Sequence, residues 1–229
     1  MARSLSRDLV AHEQCQDAVA LGRDDLLLRE ITAGPVLDIG GGTGWLASRL
    51  AANGLSVTTI DIDAESVRYA RSKGRNAIHS DFLKFKPAGR KFRTLLMADV
   101  LEHIRDDGAA LAKAASLLPT GGMLVISVPF SNLLWSKSDE ERGHFRRYSR
   151  EGLVRKLERH GFRARRVVFS NAIAIPVILV SKLLGVRAPR EQVAGTPLNR
   201  LVAFYLLKME NRLPLPFGSG IICVAEKVR

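Results

Sequence analysis

Short apolar runs alternate with amphipathic stretches along most of the chain. Val36-Leu37-Asp38-Ile39 is a four-residue run closed by glycines, the pattern of a parallel strand buried on both faces. From Thr43 to Ala52, Leu46/Leu50 and Ala47/Ala51 recur at i,i+4 and the stretch stops at Asn53-Gly54, which predicts a helix with a glycine exit. The alternation continues with strands at Ser56–Ile60, Asn76–His79, Phe92–Ala98 and Met123–Val128, separated by helices at Ala64–Ser72 and Asp106–Leu118. After an irregular passage from Pro129 to Arg150, Ser149 can cap a helix that runs to His160 with Leu153 and Leu157 on one face. Phe162–Ser170 then reads as a sixth strand and Gly220–Lys227 as a seventh. Such β-α alternation predicts an α/β fold with a mostly parallel sheet and helices on both faces. A helical leader precedes it over residues 8–31, and the apolar stretch from Ala172 to Pro216 reads as a helical cap inserted between strands six and seven, within a single domain spanning 1–229. Residues 1–34 are then the leader, 35–130 the ligand-binding core, 131–150 a lid loop and 172–216 the cap.

Composition narrows the class. With 229 residues, 46% hydrophobic and 25% charged, the chain is neither disordered nor fibrous. No apolar run reaches the ~18 residues a membrane span needs, because Ala172–Val180 is interrupted by Pro176 and followed by Ser181 and Lys182. Peripheral contact with a membrane stays open. The two cysteines, Cys15 and Cys223, make no disulfide framework, and the first residues lack a signal-peptide core, so a cytoplasmic protein is expected. The net charge of +12 raises nucleic acid or an anionic surface as a partner. Only Arg142 to Arg166 is dense, with ten basic residues against Glu151 and Glu158, and it is either a solvated face or a site for an anion. Few aromatics are interleaved there, Phe145 and Tyr148 before Phe162, which disfavours nucleic acid.

Chemistry concentrates at the first strand-to-helix turn, Asp38-Ile39-Gly40-Gly41-Gly42-Thr43-Gly44. Glycines at the carboxyl edge of a parallel sheet let a ligand approach the backbone. The spacing Gly42-x-Gly44-x-x-Ala47 also mimics a dinucleotide fingerprint, so a dehydrogenase is the first rival. A pyrophosphate wants bare amide groups at a helix start, and Asp38 at the strand tip would repel it. S-adenosylmethionine fits better: it carries a sulfonium and an ammonium and no phosphate, and Asp38 can help hold the ammonium. Asp61, at the tip of strand two, can accept from vicinal ribose hydroxyls. Asp81, after strand three, can accept from an adenine amine while Phe82 lines the ring. Three acids at three successive strand ends point together to a cationic nucleoside.

These segments resemble the class I S-adenosylmethionine-dependent methyltransferases. VLDIGGGTGWLASRLA is similar to their first motif, TTIDID to their acidic second motif, SDF to the adenine segment, LLMADVLEHI to the motif after strand four, and GGMLVISVP to the turn and strand five. The likeness covers about residues 35–130, and GHFRRYSREGLVRKLERHGF resembles the ubiquinone-type and natural-product branch. It implies a Rossmann-like seven-stranded sheet with an antiparallel last strand. It also implies that Asp38, Gly40, Gly42 and Gly44 contact the methionine part of S-adenosylmethionine, Asp61 and Ile62 the ribose and adenine, Asp81 and Phe82 the adenine, and Ala98 and Asp99 the back of the pocket.

Methyl transfer from a sulfonium needs alignment above all, and a base only where the acceptor is protonated. The candidates for catalysis are His103, which Glu102 could orient, and His144 with Tyr148 in the lid. Each has a structural alternative, in which His103 packs on a helix, His144 shapes the lid and Tyr148 anchors it. Arg146 or Arg147 would pair with an anion on the acceptor or with acids of the protein. No local spacing resembles a metal site. The apolar cap suits a small or lipid-like acceptor, favouring O-methylation in a biosynthetic pathway. Methylation of nucleic acid or protein, and noncatalytic binding of S-adenosylmethionine, are the alternatives.

Overall fold

A computed structural model describes residues 18–186, 196–213 and 215–229. Its order is α1 (Ala18–Glu30), β1 (Val36–Ile39), α2 (Trp45–Ala52), β2 (Val57–Asp61), α3 (Ala64–Ser72), β3 (Ala77–His79), β4 (Thr94–Ala98), α4 (Asp107–Leu117), β5 (Met123–Pro129), α5 (Lys137–Glu141), α6 (Arg150–Arg159), β6 (Phe162–Ser170), α7 (Ala174–Leu183), α8 (Pro197–Lys208) and β7 (Gly220–Lys227). The sheet runs β3-β2-β1-β4-β5-β7-β6. β7 lies antiparallel to both neighbours, and every other pairing is parallel. This is the expected Rossmann-like sheet, and β7 is the expected antiparallel closing strand.

Period-2 alternation divides the core. Leu37, Ile39, Leu95, Met97, Leu124 and Ile126 join one buried cluster with Leu111, Leu153 and Leu157. Their strand neighbours Val36, Leu96 and Val125 join Leu27, Leu46 and Leu50 in a second, on the opposite face. Both faces of the sheet are therefore covered, which accounts for the unbroken apolar runs of the central strands. The order in which successive strands are added switches from one side of β1 to the other at β4, the switch point at which open α/β sheets form a ligand crevice.

Three segments depart from expectation. The expected helix from Thr43 begins at Trp45, because Gly44 stands in the left-handed region (φ 73°) and acts as its N-cap. The lid is less irregular than expected: Asn132–Leu134 forms a 3₁₀ turn, and α5 starts with a capping box between Ser136 and Asp139. Of the leader, Ala18–Glu30 is helical, while residues 8–17 and Cys15 lie outside the described residues. The described part of the cap carries two helices, α7 and α8. Pro176 falls in the first turn of α7, where a missing N–H costs no helical bond. No helix among the described residues is long and apolar enough to cross a membrane.

Candidate active site

The glycine turn is shaped by its neighbours. Gly40 has φ 66°, and a Cβ there would stand 2.6 Å from Val100 Cγ2. At Gly41 a Cβ would meet Asp38 Oδ2 at 2.1 Å, so the turn lies directly on the Asp38 carboxylate. Gly40 N–H donates to Ile60 O (2.8 Å) and Gly42 N–H to Asp61 Oδ2 (2.7 Å), which ties the turn to β2. Asp38 is buried, and its Oδ2 has no hydrogen-bond partner. Burial, reinforced by the charges of Asp24 and Asp61, pushes its pKa up to about 7. A buried carboxylate left without a donor is a costly arrangement. A cationic ligand in the adjoining cavity of about 270 Å³, lined by Asp24, Gly40 to Thr43 and Ala98, would relieve it.

Arg23 and Asp24 of α1 belong to this cavity, and neither stood out in the sequence. Arg23 Nη1 donates to Asp99 Oδ2 (2.6 Å) and Nη2 to Asp24 Oδ1 (2.7 Å). Burial opposes the charge of Arg23, yet the two carboxylates raise its pKa above the usual guanidinium value. Asp99, with φ 54°, also accepts from Ser127 Oγ (2.6 Å). Ala98 lines this cavity, and both Ala98 and Asp99 line the neighbouring one of about 410 Å³.

A second cavity of about 380 Å³ joins Asp61, Ile62, Asp81 and Phe82 with Ile39, Val100, Ile104 and Phe145. Asp61 already accepts from Gly42 N–H and from Asp63 N–H (2.8 Å), leaving one lone pair on each oxygen for ribose hydroxyls. Asp81 Oδ1 accepts from Leu83 N–H (2.9 Å), and Phe82 is buried beneath the cavity. Ile62 is 72% exposed, an apolar surface that an adenine ring would cover.

The third cavity, of about 410 Å³, contains His103, His144, Glu102, Asp99, Asp139 and Ile178. It shares Arg23 and Ala98 with the glycine cavity and His103 with the Asp61 cavity. The His103 and His144 rings meet edge to face at 4.7 Å. Burial and the neighbouring His144 lower the His103 pKa, which favours its neutral ring. His144 Nδ1 lies 2.8 Å from Asp139 Oδ1. Although burial pushes Asp139 upward, His144 and Arg147 hold its carboxyl well below the ordinary range. An ionised carboxylate only accepts, so Nδ1 carries a proton, and in the neutral ring Nε2 is the acceptor.

Glu102 is buried, and its Oε2 has no hydrogen-bond partner. Burial, then the charge of Asp99, raises its pKa well above the ordinary value. Spacing along the chain showed no metal site, but the fold gathers Glu102, His103 and His144 so that one ligand atom of each lies within 4.8 Å of the others. Asp106 and Asp107 are occupied elsewhere: Asp106 caps α4, and Asp107 accepts from Lys156 and Tyr148.

For Tyr148 and the lid arginines the structure shows the structural one of the two alternatives. Tyr148 is buried, and its hydroxyl donates to Asp107 Oδ2 (2.9 Å) and weakly to Leu101 O (3.4 Å). Burial, then the Asp107 charge, raises its pKa, and it lies outside the His103/His144 cavity, so it anchors the lid and does not face a reacting group. The lid arginines meet acids of the protein. Arg147 makes a two-pronged pair with Asp139 (Nε–Oδ1 and Nη2–Oδ2, both 2.9 Å), and Arg146 Nη1 lies 2.9 Å from Asp107 Oδ2. Much of the dense basic stretch is spent likewise, on Lys156–Asp107, Arg165–Glu226 and Arg166–Glu30 pairs.

Comparison with known proteins identifies the family. The profile of a family described as a methyltransferase domain matches residues 11–167, so the chain belongs to the methyltransferase-domain family. The class read from the sequence, the S-adenosylmethionine-dependent methyltransferases, stands with it. An uncharacterized methyltransferase of Mycobacterium tuberculosis is 36% identical over 95 residues, 40% of this chain and 48% of the relative. A ubiquinone biosynthesis O-methyltransferase of Paramagnetospirillum magneticum is 32% identical over 113 residues, 47% of this chain and 45% of the relative. The chain thus spans about half the length of the curated relatives it matches. Among solved structures, the N-methyltransferase NodS from Bradyrhizobium japonicum in complex with S-adenosyl-L-homocysteine superposes with TM-score 0.64 at 17% identity, covering 99% of this chain and 98% of that one.

Proposed function

We propose that the chain binds S-adenosylmethionine along the carboxyl ends of β1, β2 and β4 and methylates a hydroxyl of a small or lipid-like acceptor in the His103/His144 cavity. The observation that carries this reading is the Asp139–His144 pair facing a cavity that adjoins the glycine turn. Asp38 and the turn would hold the methionine part, Asp61 the ribose, and Ile62, Asp81 and Phe82 the adenine, with Ala98 and Asp99 behind. When bound, S-adenosylmethionine supplies a methyl group on a sulfonium that needs no further activation.

The protein's own task is alignment and removal of a proton. Asp139 fixes the tautomer of His144, so Nε2 accepts the hydroxyl proton and the resulting imidazolium is stabilised by the carboxylate beside it. Arg147 grips both oxygens of Asp139 and keeps it from turning away. His103, exposed, lines both the nucleoside and the acceptor cavities. Ile178, Val128 and Pro129 give the acceptor cavity an apolar wall, and Ser136 and Ser170 a polar one. That combination suits an apolar molecule bearing a polar reacting end. The O-methyltransferases among the matched relatives support oxygen as the acceptor atom, and a base suits a hydroxyl, which loses its proton as it is methylated. A methylated intermediate of a biosynthetic pathway is the product class that follows.

Turnover assays with an acceptor panel, read as released S-adenosylhomocysteine, test the reading. His144→Ala should lower kcat by roughly 10²- to 10⁴-fold while S-adenosylmethionine affinity stays within twofold. Unchanged kcat would remove His144 from the reaction, and transfer to RNA or protein alone would overturn the small acceptor.

A further inference from the structure

Twelve of the seventeen large hydrophobic side chains exposed among the described residues fall between residues 177 and 217, in the cap. Their arrangement is inside out. In α7, Ser181 is buried while Val180, Leu183 and Leu184 are exposed, Leu183 by 86%. In α8, Asn199 is buried against α1, where its Oδ1 accepts from Ala18 N–H (2.8 Å), while Leu198, Leu201 and Phe204 face outward. Asn211 just beyond likewise turns inward, donating to Gly22 O (2.8 Å) and Asp25 Oδ2 (2.9 Å). A helix placed in water does the opposite. Burying its polar groups and presenting leucine and phenylalanine suits a helix whose outer face meets hydrocarbon.

Among the described residues of the cap the exposed charges have one sign. Lys182, Arg200, Lys208 and Arg212 are exposed on the described cap, and its one acid, Glu210, is buried, where it accepts from the amides of Ala172 and Ile173. Apolar side chains bordered by long cationic ones that reach toward headgroups fit an anionic bilayer surface. A protein partner of ordinary composition would leave these four cations unmatched. We propose that α7 and α8 dock this chain on an anionic lipid surface, with Leu183, Leu184, Leu201 and Phe204 entering the acyl boundary and the cations at headgroup level. Ile178, on the same α7, lines the His103/His144 cavity, so docking sets that cavity beside the bilayer. The inference concerns the surface and holds whatever the acceptor proves to be.

The test is sedimentation of the full chain with vesicles of phosphatidylcholine alone or with 30% phosphatidylglycerol. Binding is expected to the anionic vesicles and to weaken with salt, as screening requires. The Leu183→Asp/Phe204→Asp variant should bind them at least tenfold more weakly, and Arg200→Glu/Lys208→Glu about twentyfold or more, at roughly fivefold per basic residue. S-adenosylmethionine affinity in both variants, expected unchanged, shows that they are folded and separates this outcome from the fate of the methyl-transfer reading. Absence of vesicle binding by the parent, or equal binding by the aspartate variant, would overturn the proposal. So would ultracentrifugation showing a dimer that the aspartate variant dissolves while the parent ignores vesicles, since the face would then belong to a second copy.

Discussion

Asp38 offers a perturbation whose size can be worked out and whose signature no folding defect would mimic. Its carboxyl titrates near 7 because it is buried beside Asp24 and Asp61. If the ionised form holds the ligand's ammonium, affinity must fall as the site is protonated. Binding is weakened by a factor of one plus ten to the power of pKa minus pH, which is about 1.1 at pH 8 and roughly thirtyfold at pH 5.5. Asp38→Asn loses the charge at every pH. At pH 8 the variant lacks a charge-assisted bond of about 1.5 to 3 kcal/mol, roughly 10- to 150-fold in Kd. At pH 5.5 the parent has lost most of that advantage, and the two should converge to within a few fold. Calorimetry with S-adenosylmethionine at both pH values gives the ratio directly, and pH effects common to the two proteins cancel in it. A ratio equal at pH 8 and pH 5.5 would refute the assignment of the ammonium to Asp38. The same pKa, raised from an ordinary 3.8, makes the ligand-free fold take up a proton. That contribution to stability is fully present below about pH 4 and lost as pH rises through about 7.

Further outcomes follow from the lid and the histidines. Tyr148→Phe removes one buried hydrogen bond while Lys156 and Arg146 still serve Asp107, so it should cost about 1 kcal/mol of stability, roughly 2 to 4 °C in Tm, with kcat unchanged; a large loss of kcat would restore Tyr148 to the reaction. Arg147→Ala leaves Asp139 without its fork and should lower kcat and Tm together, whereas a rise in acceptor KM alone would mean that Arg147 binds the acceptor after all. Proton transfer to His144 needs no cation, so turnover should survive EDTA; loss restored by one added divalent metal would assign Glu102, His103 and His144 to that ion.

What the sequence disclosed was local, and what it concealed was not. The strands were legible because each apolar run reports its own burial, and the turn at Gly40–Gly44 because glycines and strand-tip acids are neighbours in the chain. Arg23 meets Asp99 across 76 residues, and Tyr148 meets Asp107 across 41. Only the folded sheet brings such pairs together. Arg23 therefore gives no signal, and the chain leaves Tyr148 open between a reacting phenol and an anchor. The basic stretch stays open between a solvated face and an anion site for the same reason, several of its acids lying at residues 30, 107 and 226. One feature was present and went unread: Ser136-x-x-Asp139 has the spacing of a capping box, which α5 forms, and it fixes the carboxylate that holds His144.

The most direct measurement is transfer of label from S-adenosyl-[methyl-³H]methionine by the purified chain to an extract divided into small molecules, lipids, RNA and protein. The account requires label in the small-molecule or lipid fraction, one S-adenosylhomocysteine per methyl transferred, and loss of both in Asp61→Ala, which lacks the ribose acceptor. Label confined to RNA or protein, or no transfer by a protein that binds the cofactor tightly, would contradict it.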